Sequence, residues 1–382
     1  MKMCGKCVSQ PSSPPVGGQA VVEGVMIRSP RSFVVAVRRP DGKIALREQA
    51  WKNFWPSLTF FRWPFFRGVM VLLESLHNGY VALEFSALQA EPPPMAKPSG
   101  KEAAAPSAEE TAPPREDSAP SANTPMPKGG GVGMAFSMVL ATVFALGLFV
   151  ALPHLLTWGA GAWTNTPLDT DGFAFHLIDG IFRLLIFVGY LLLLSKSKDV
   201  QTMFAYHGAE HKAIWAYESK QELSVENARP FGTLHPRCGT SFLFVVVGVA
   251  VFFHVVFLPW VPRLHDNNWL NQLLLILVKL PMVFPIAGVA YELQRLTAQK
   301  NCPRALRWLA LPGMWLQRIT TRPPTDAQLE IALLALQRAL NREKAAEALP
   351  EGLFVFDDFQ SFQRENAGAA AQLPGDVVVA TA

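Results

Sequence analysis

Four long apolar runs set the limits on what this chain can become. They lie at about 134–158, 174–194, 240–262 and 269–293, and each is long enough to cross a hydrocarbon core of ~30 Å as a helix. Backbone N–H and C=O groups in lipid have no water to bond, so a crossing segment satisfies them internally and folds as a helix. Half of the chain is hydrophobic and only 17% is charged, with 26 Phe and 10 Trp; Trp favours membrane interfaces. The expected class is a mainly α membrane protein. It would have four transmembrane helices, a small N-terminal β unit, an interfacial amphipathic helix and a cytoplasmic His/Cys loop.

Orientation follows from the loops. The segment 159–173 has no Lys or Arg, whereas 195–239 carries Lys196, Lys198, Lys212, Lys220, Arg229 and Arg237, and Arg295, Lys300, Arg304 and Arg307 follow the last run. Positive-inside bias puts both termini and the His/Cys loop in the cytoplasm of a multi-pass protein of the cell (inner) membrane. The spans carry ionisable groups. Asp179 and Arg183 are four apart and can pair on one helix face. His254 lies in the third run, and Lys279 lies in the fourth near Pro281 and Pro285, which should kink it. Such groups face a bundle interior or a wet cavity. A structural pair and a small-solute carrier both fit them, although no pair of broken helices of an inverted-repeat transporter is visible.

The flanking segments divide by composition. Residues 1–16 read as a disordered leader, and Cys4-Gly-Lys-Cys7 within it is one pair, too few to close a zinc site. No signal peptide is expected, because Lys2 and Lys6 precede Ser, Pro and Gly rather than an apolar core. The four Cys do not make a disulfide framework. In the small cytoplasmic β unit 17–52, Phe33, Val35 and Val37 alternate, as do Ile44 and Leu46, around the turn signal Pro40-Asp41-Gly42. Gly17-Gly18 permits close backbone approach. In 53–90, Val69, Leu72, Leu73, Leu76, Tyr80 and Leu83 follow helical spacing, as in an amphipathic helix on the leaflet or packed against the spans. Residues 91–131 are a Pro-, Ala- and Ser-rich disordered linker. The four-span domain 132–295 holds the loop 195–239. A cytoplasmic helical segment 296–348 starts a helix with a Thr325-Asp326 cap and buries a Leu329, Leu333, Leu336, Leu340 stripe. Residues 349–382 read as a disordered tail in which Leu353–Phe359 is a candidate partner peptide. A net charge of +4 without a basic stripe argues against nucleic acid.

The chemistry concentrates between two of the apolar runs. Tyr206-His207-Gly208-Ala209-Glu210-His211-Lys212 is followed by His235-Pro236-Arg237-Cys238-Gly239-Thr240-Ser241-Phe242. On a helix, His207 and His211 share one face with Glu210. His-x-x-Glu-His is the spacing of the inverted zinc-peptidase motif, in which both imidazoles ligate and the Glu is general base. His235 and Cys238 form a second pair at ligand spacing. Imidazole and thiolate suit zinc over a hard cation, so a divalent metal, zinc for preference, is the expected cofactor. A solvated helix face is the plain alternative for the five-residue pattern.

Together with Gly17-Gly-Gln-Ala-Val-Val-Glu-Gly-Val-Met26, those two blocks resemble the YqhQ-like family, as does a weaker segment at Leu311–Gln317 and Thr320-Thr321. The resemblance covers roughly residues 16–88 and 133–340 and implies a bacterial multi-pass membrane protein and a metal-dependent enzyme. Glu23 in the first block is then either a remote or supporting carboxylate or an exposed strand residue. In the enzyme reading His207 and His211 hold the metal, with a third ligand from His235, Cys238 or Glu292. Glu210 takes the proton of water, and Lys212 or Arg237 steadies an oxyanion. The reaction would be hydrolysis of an amide or ester in a membrane protein, peptide or lipid-linked molecule. In the other reading His207, His211, His235 and Cys238 close a tetrahedral structural zinc site in a non-enzymatic scaffold or assembly factor.

Overall fold

The computed structural model describes residues 14–51, 63–91, 131–164, 168, 172–297, 304–344 and 351–371. Strands β1 (Gly17–Val21), β2 (Gly24–Arg28), β3 (Ser32–Arg38) and β4 (Ile44–Ala50) form an antiparallel meander. The β3–β4 turn uses Gly42 at φ 85°, where a side chain would be strained. Side chains alternate across the sheet. Phe33, Val35 and Val37 face Ala82 and Phe85 of α1 (Phe66–Ala90). Val34, Ala36, Ile44 and Leu46 face α5 (Lys198–Glu218) and α11 (Asp326–Lys344). Both faces are covered, which is why every residue of Phe33–Val37 is buried.

The sheet has a fifth strand, and this corrects the expected tail. β5 (Gly352–Phe356) pairs antiparallel with β4, Leu46 opposite Phe354 and Ile44 opposite Phe356. α12 (Phe359–Ala371) then closes over the end, with Phe362 fully buried against Phe356. A five-residue apolar strand is too short to be stable alone; it folds because the open edge of β4 offers its N–H and C=O groups. The candidate partner peptide is therefore an internal edge strand, while 372–382 lie outside the described residues. The β unit is likewise not a separate module. Glu48 of β4 is buried between Arg338 and Arg342 of α11, with Oε2 2.9 Å from Arg342 Nη1. The expected cap at Thr325 forms: Gln328 N–H donates to Thr325 Oγ1 and Thr325 N–H to Gln328 Oε1. The Leu329, Leu333, Leu336 and Leu340 stripe is core.

Among the described residues, three helical segments are long and apolar enough to cross a membrane: Val139–Trp163, Phe173–Leu194 and Gly239–Trp260. The first joins α2 (Gly131–Leu146) through a π-helical turn, Gly147–Ala151, to α3 (Leu152–Trp163); the others are α4 (Phe173–Leu194) and α7 (Gly239–Phe257) with one further turn. The fourth expected run is two helices, α8 (Asn268–Lys279) and α9 (Val283–Thr297), bent by 41°. The break falls beside Pro281, whose missing N–H cannot continue the helical ladder. At 1.5 Å per residue neither half alone spans ~30 Å.

The structure refines two more expectations. The loop 195–239 is mostly α5 and the short α6 (Val225–Ala228), and α5 is buried rather than loop-like. The helix expected over 53–90 is α1, and it packs on the sheet and on α9, where Gly68 meets the Tyr291 ring. Leu73 and Leu76 remain exposed on it. Residues 52–62, the leader 1–13 and the linker 92–130 lie outside the described residues. α10 (Arg304–Thr320) completes the order and abuts the start of α7 at Gly313 and Ser241.

Because Phe362 anchors the C-terminal element, Phe362→Ala should cost about 3–5 kcal/mol. Denaturant unfolding of the purified protein checks this; an unchanged midpoint would mean that β5 and α12 do not belong to the folded body.

Candidate metal centre

Helix α5 presents two different faces. Ala209, Ala213 and Ala216 lie in the core shared with the sheet and α11, where small side chains allow close approach. His207 and His211 point the other way, toward Thr233–Cys238 and the end of α10. Gly208 makes this possible: a Cβ there would strike the carbonyl oxygen of Arg322.

Each imidazole is held by a backbone carbonyl. His207 Nδ1–H donates to Thr320 O at 2.8 Å, and His211 Nδ1–H donates to Thr233 O at 2.5 Å. A carbonyl only accepts, so the proton of each neutral ring sits on Nδ1 and the Nε2 lone pair is free to ligate. His207 Nε2 lies 3.0 Å from Cys238 Sγ. Ligand atoms of His207, His211 and Cys238 lie within 4.8 Å of one another, all three residues being buried. Among the described residues, His211 Nε2 is buried with no hydrogen-bond partner. Burial also lowers the proton affinity of His211, which keeps its ring neutral. Cys238 is the N-cap of α7 and its sulfur accepts from Thr240 N–H, at a helix end that favours negative charge. Two imidazoles and a thiol in this arrangement could hold a metal ion.

Glu210 lies beside this trio. Its Oε2 is 3.9 Å from His211 Nε2. Burial raises its proton affinity, opposed by His207, His235 and the Gly18 N–H. The close approach of β1 that the Gly17-Gly18 pair permits is used here: a Cβ on Gly18 would sit 2.6 Å from Glu210 Cγ. Glu23 is given to the Tyr206 hydroxyl at 3.2 Å.

His235 is close but differently protonated. Its Nδ1 accepts from Arg237 N–H at 3.3 Å, which leaves the ring proton on Nε2, 3.5 Å from Glu218 Oε1. Its ring lies 5.7 Å from that of His211 and 4.7 Å from that of Trp215. Gln317 grips its backbone, accepting from His235 N–H at 2.7 Å and donating to its carbonyl at 2.8 Å and to Ser241 Oγ.

The remaining sequence candidates are engaged elsewhere. The Lys212 ammonium donates to the carbonyls of Arg229 and Phe231, pinning the segment before Thr233. Arg237 pairs with Glu218. Glu292 forms a two-point pair with Arg67, Nε–Oε1 2.6 Å and Nη2–Oε2 2.5 Å, and accepts from Phe65 N–H. Glu292 thus ties α9 to α1 and is absent from the His207, His211 and Cys238 group. Residues that the motif reading passed over are Thr320, Thr233, Glu218 and Gln317. The first two act through carbonyls, which no sequence pattern marks; Thr320 and Gln317 were signalled only by the resemblance of their segment.

Residues 63–342 match the family described as protein of unknown function (DUF1385). Over 339 residues the chain is 31% identical to the uncharacterized protein YqhQ of Bacillus subtilis (strain 168), which covers 87% of this chain and 95% of that protein. No solved structure matches.

Gly208→Ala should overpack the seam between α5 and Arg322 and destabilise by about 1–3 kcal/mol. Gly232→Ala, with open space around the new methyl, is the control. Equal melting temperatures for the two variants would show that the seam does not need the glycine.

Proposed function

The chain belongs to the DUF1385 family, and we propose that it is a metal-dependent membrane hydrolase working at the cytoplasmic face of the cell membrane. The observation that carries this reading is the convergence of two Nε2 lone pairs and the Cys238 sulfur beside the buried Glu210 carboxylate. His207, His211 and Cys238 would hold the ion, zinc being the best match to that donor set. Such an ion supplies Lewis acidity and lowers the pKa of water toward ~7.

The chain's own groups supply the rest. Glu210, whose carboxylate gains proton affinity from burial, is placed to take a proton from water next to His211. His235, backed by Glu218 and Arg237, carries its ring proton on the nitrogen that would donate to an oxyanion or leaving group. This moves the oxyanion role from Lys212 and Arg237, both already engaged, to His235. A closed structural zinc would need His235 Nε2 as a fourth ligand, and the Arg237 N–H on Nδ1 disfavours that tautomer.

The membrane placement rests on apolar exposure. Leu140, Phe144, Ile181, Leu185, Phe252 and Leu277 project outward from α2, α4, α7 and α8, a surface suited to lipid. Taken as one bent span, the α8–α9 pair is a fourth crossing and returns the chain to the face from which α7 starts. Both termini are then cytoplasmic. A site at the start of α7 suits an amide or ester in a membrane peptide or lipid-linked molecule.

Mass spectrometry of detergent-purified protein should find about one equivalent of zinc, as one tetrahedral site requires. His207→Ala with His211→Ala should abolish it, while His235→Ala keeps it. Glu210→Gln should keep the metal and lose hydrolysis about 10²-fold or more. Metal-free wild-type protein never exposed to chelator would overturn the site; full activity of Glu210→Gln would overturn the role of Glu210.

A further inference from the structure

A second polar centre lies inside the helical bundle, apart from the first. Lys279 of α8 donates to Asp179 Oδ1 at 3.1 Å and to His154 Nδ1 at 3.0 Å. Arg183 donates from Nη2 to Asp179 Oδ2 at 3.1 Å and from Nη1 to His254 Nδ1 at 3.0 Å. His154 Nε2 meets Gln272 Oε1 at 2.8 Å. Four helices, α3, α4, α7 and α8, therefore meet on one connected set of side chains, and Asp179, Arg183, Lys279, His154 and His254 are each under 5% exposed.

Two shortages mark this set. The first is of negative charge: Asp179 is its one acid, against the permanent cation Arg183 and the ammonium of Lys279. The second is of acceptors. Both imidazoles use Nδ1 to accept, so both carry the proton on Nε2. His154 passes its proton to Gln272, but the His254 Nε2–H and the Arg183 Nε–H are buried with no partner among the described residues. Loss of a proton from Lys279 would cancel the excess charge and still leave those two donors unmatched. A bound anion corrects both at once. Buried donors and buried charge are costly unless matched, and ionisable groups inside a span mark binding sites or pathways.

Gln272 also lines a cleft of about 630 Å³ together with His265, Asn267 and Trp269. It links that opening to His154 and so to the cations behind it.

We propose that Arg183, His254 and Lys279 form an intramembrane binding site for a small monovalent inorganic anion, entered through the cleft at Gln272. The excess of one positive charge selects a single negative charge, and the packed bundle selects small size.

The test uses the full-length protein purified in detergent in sodium gluconate, whose anion is too large for such a site. Titration with sodium chloride, and separately with sodium nitrate, at constant ionic strength should raise the melting temperature saturably. Lys279→Met keeps the Asp179–Arg183 pair and removes the excess charge, so it should abolish the rise. Asp179→Asn adds to the excess and should lower the half-saturating concentration severalfold. Retention of radiolabelled chloride by the wild type, competed by nitrate, reads the site without relying on any variant's folding. Equal melting temperatures in all three salts with no retained chloride would overturn the proposal. So would a chloride response that Lys279→Met shows in full, since that response would arise at the protein surface.

Discussion

Helix α5 is buried on nearly every side, and the rest of the structure is arranged to allow it. The run from Ala205 to His211 is buried without interruption, and Ala213, Ile214 and Ala216 continue it. A helix in that position cannot send polar side chains to water. Its two imidazoles and its carboxylate must find partners inside the protein or be costly. The sheet supplies one, the N–H of Gly18. The segments after α6 and at the end of α10 supply the carbonyls of Thr233 and Thr320. Those partners come from three distant parts of the chain, so the site and the fold of this half of the molecule are one construction.

The same requirement explains elements that look peripheral. Lys212 is not one of the trio, yet its bonds to the Arg229 and Phe231 carbonyls hold the approach to Thr233. Gln317 fixes His235 by both backbone groups and ties α10 to α7 through Ser241. A group held through its partners keeps its tautomer, and the tautomer decides whether a histidine ligates or carries a proton. His211 and His235 are the same residue type 5.7 Å apart with opposite tautomers, because one meets a carbonyl and the other an amide N–H.

The bundle applies the rule with less completeness. Asp179, Arg183, Lys279, His154, His254 and Gln272 engage one another across four helices, but donors outnumber acceptors. In the α5 site the Nδ1–H groups of His207 and His211 each have a carbonyl, His211 Nε2 is left with a lone pair, and the neighbouring His235 Nε2–H is left as a donor. A leftover lone pair beside a thiol suits a cation, and leftover N–H groups beside an excess of positive charge suit an anion.

Much of this was legible in the residues. Apolar length is a local property, so the long spans and the break beside Pro281 could be read off the chain. Strands β3 and β4 are adjacent in sequence, and period-two alternation around the Pro40-Asp41-Gly42 turn announces them; β1 and β2 carry no such signal. The i, i+4 spacing of His207 and His211 and the pairing of Asp179 with Arg183 are likewise local. What only the tertiary structure decided is long-range. β5 became a strand because β4, some 300 residues earlier, had an open edge. Glu292 went to Arg67, Arg237 to Glu218 and Cys238 to the two histidines, choices among equally suitable partners that sequence spacing cannot rank. Thr233 and Thr320 act through carbonyls that every residue possesses. Local physics writes helices, strands and the chemical types of a site into the sequence; which nitrogen bears a proton, and which charge is left without a partner, depends on where the rest of the chain comes to lie.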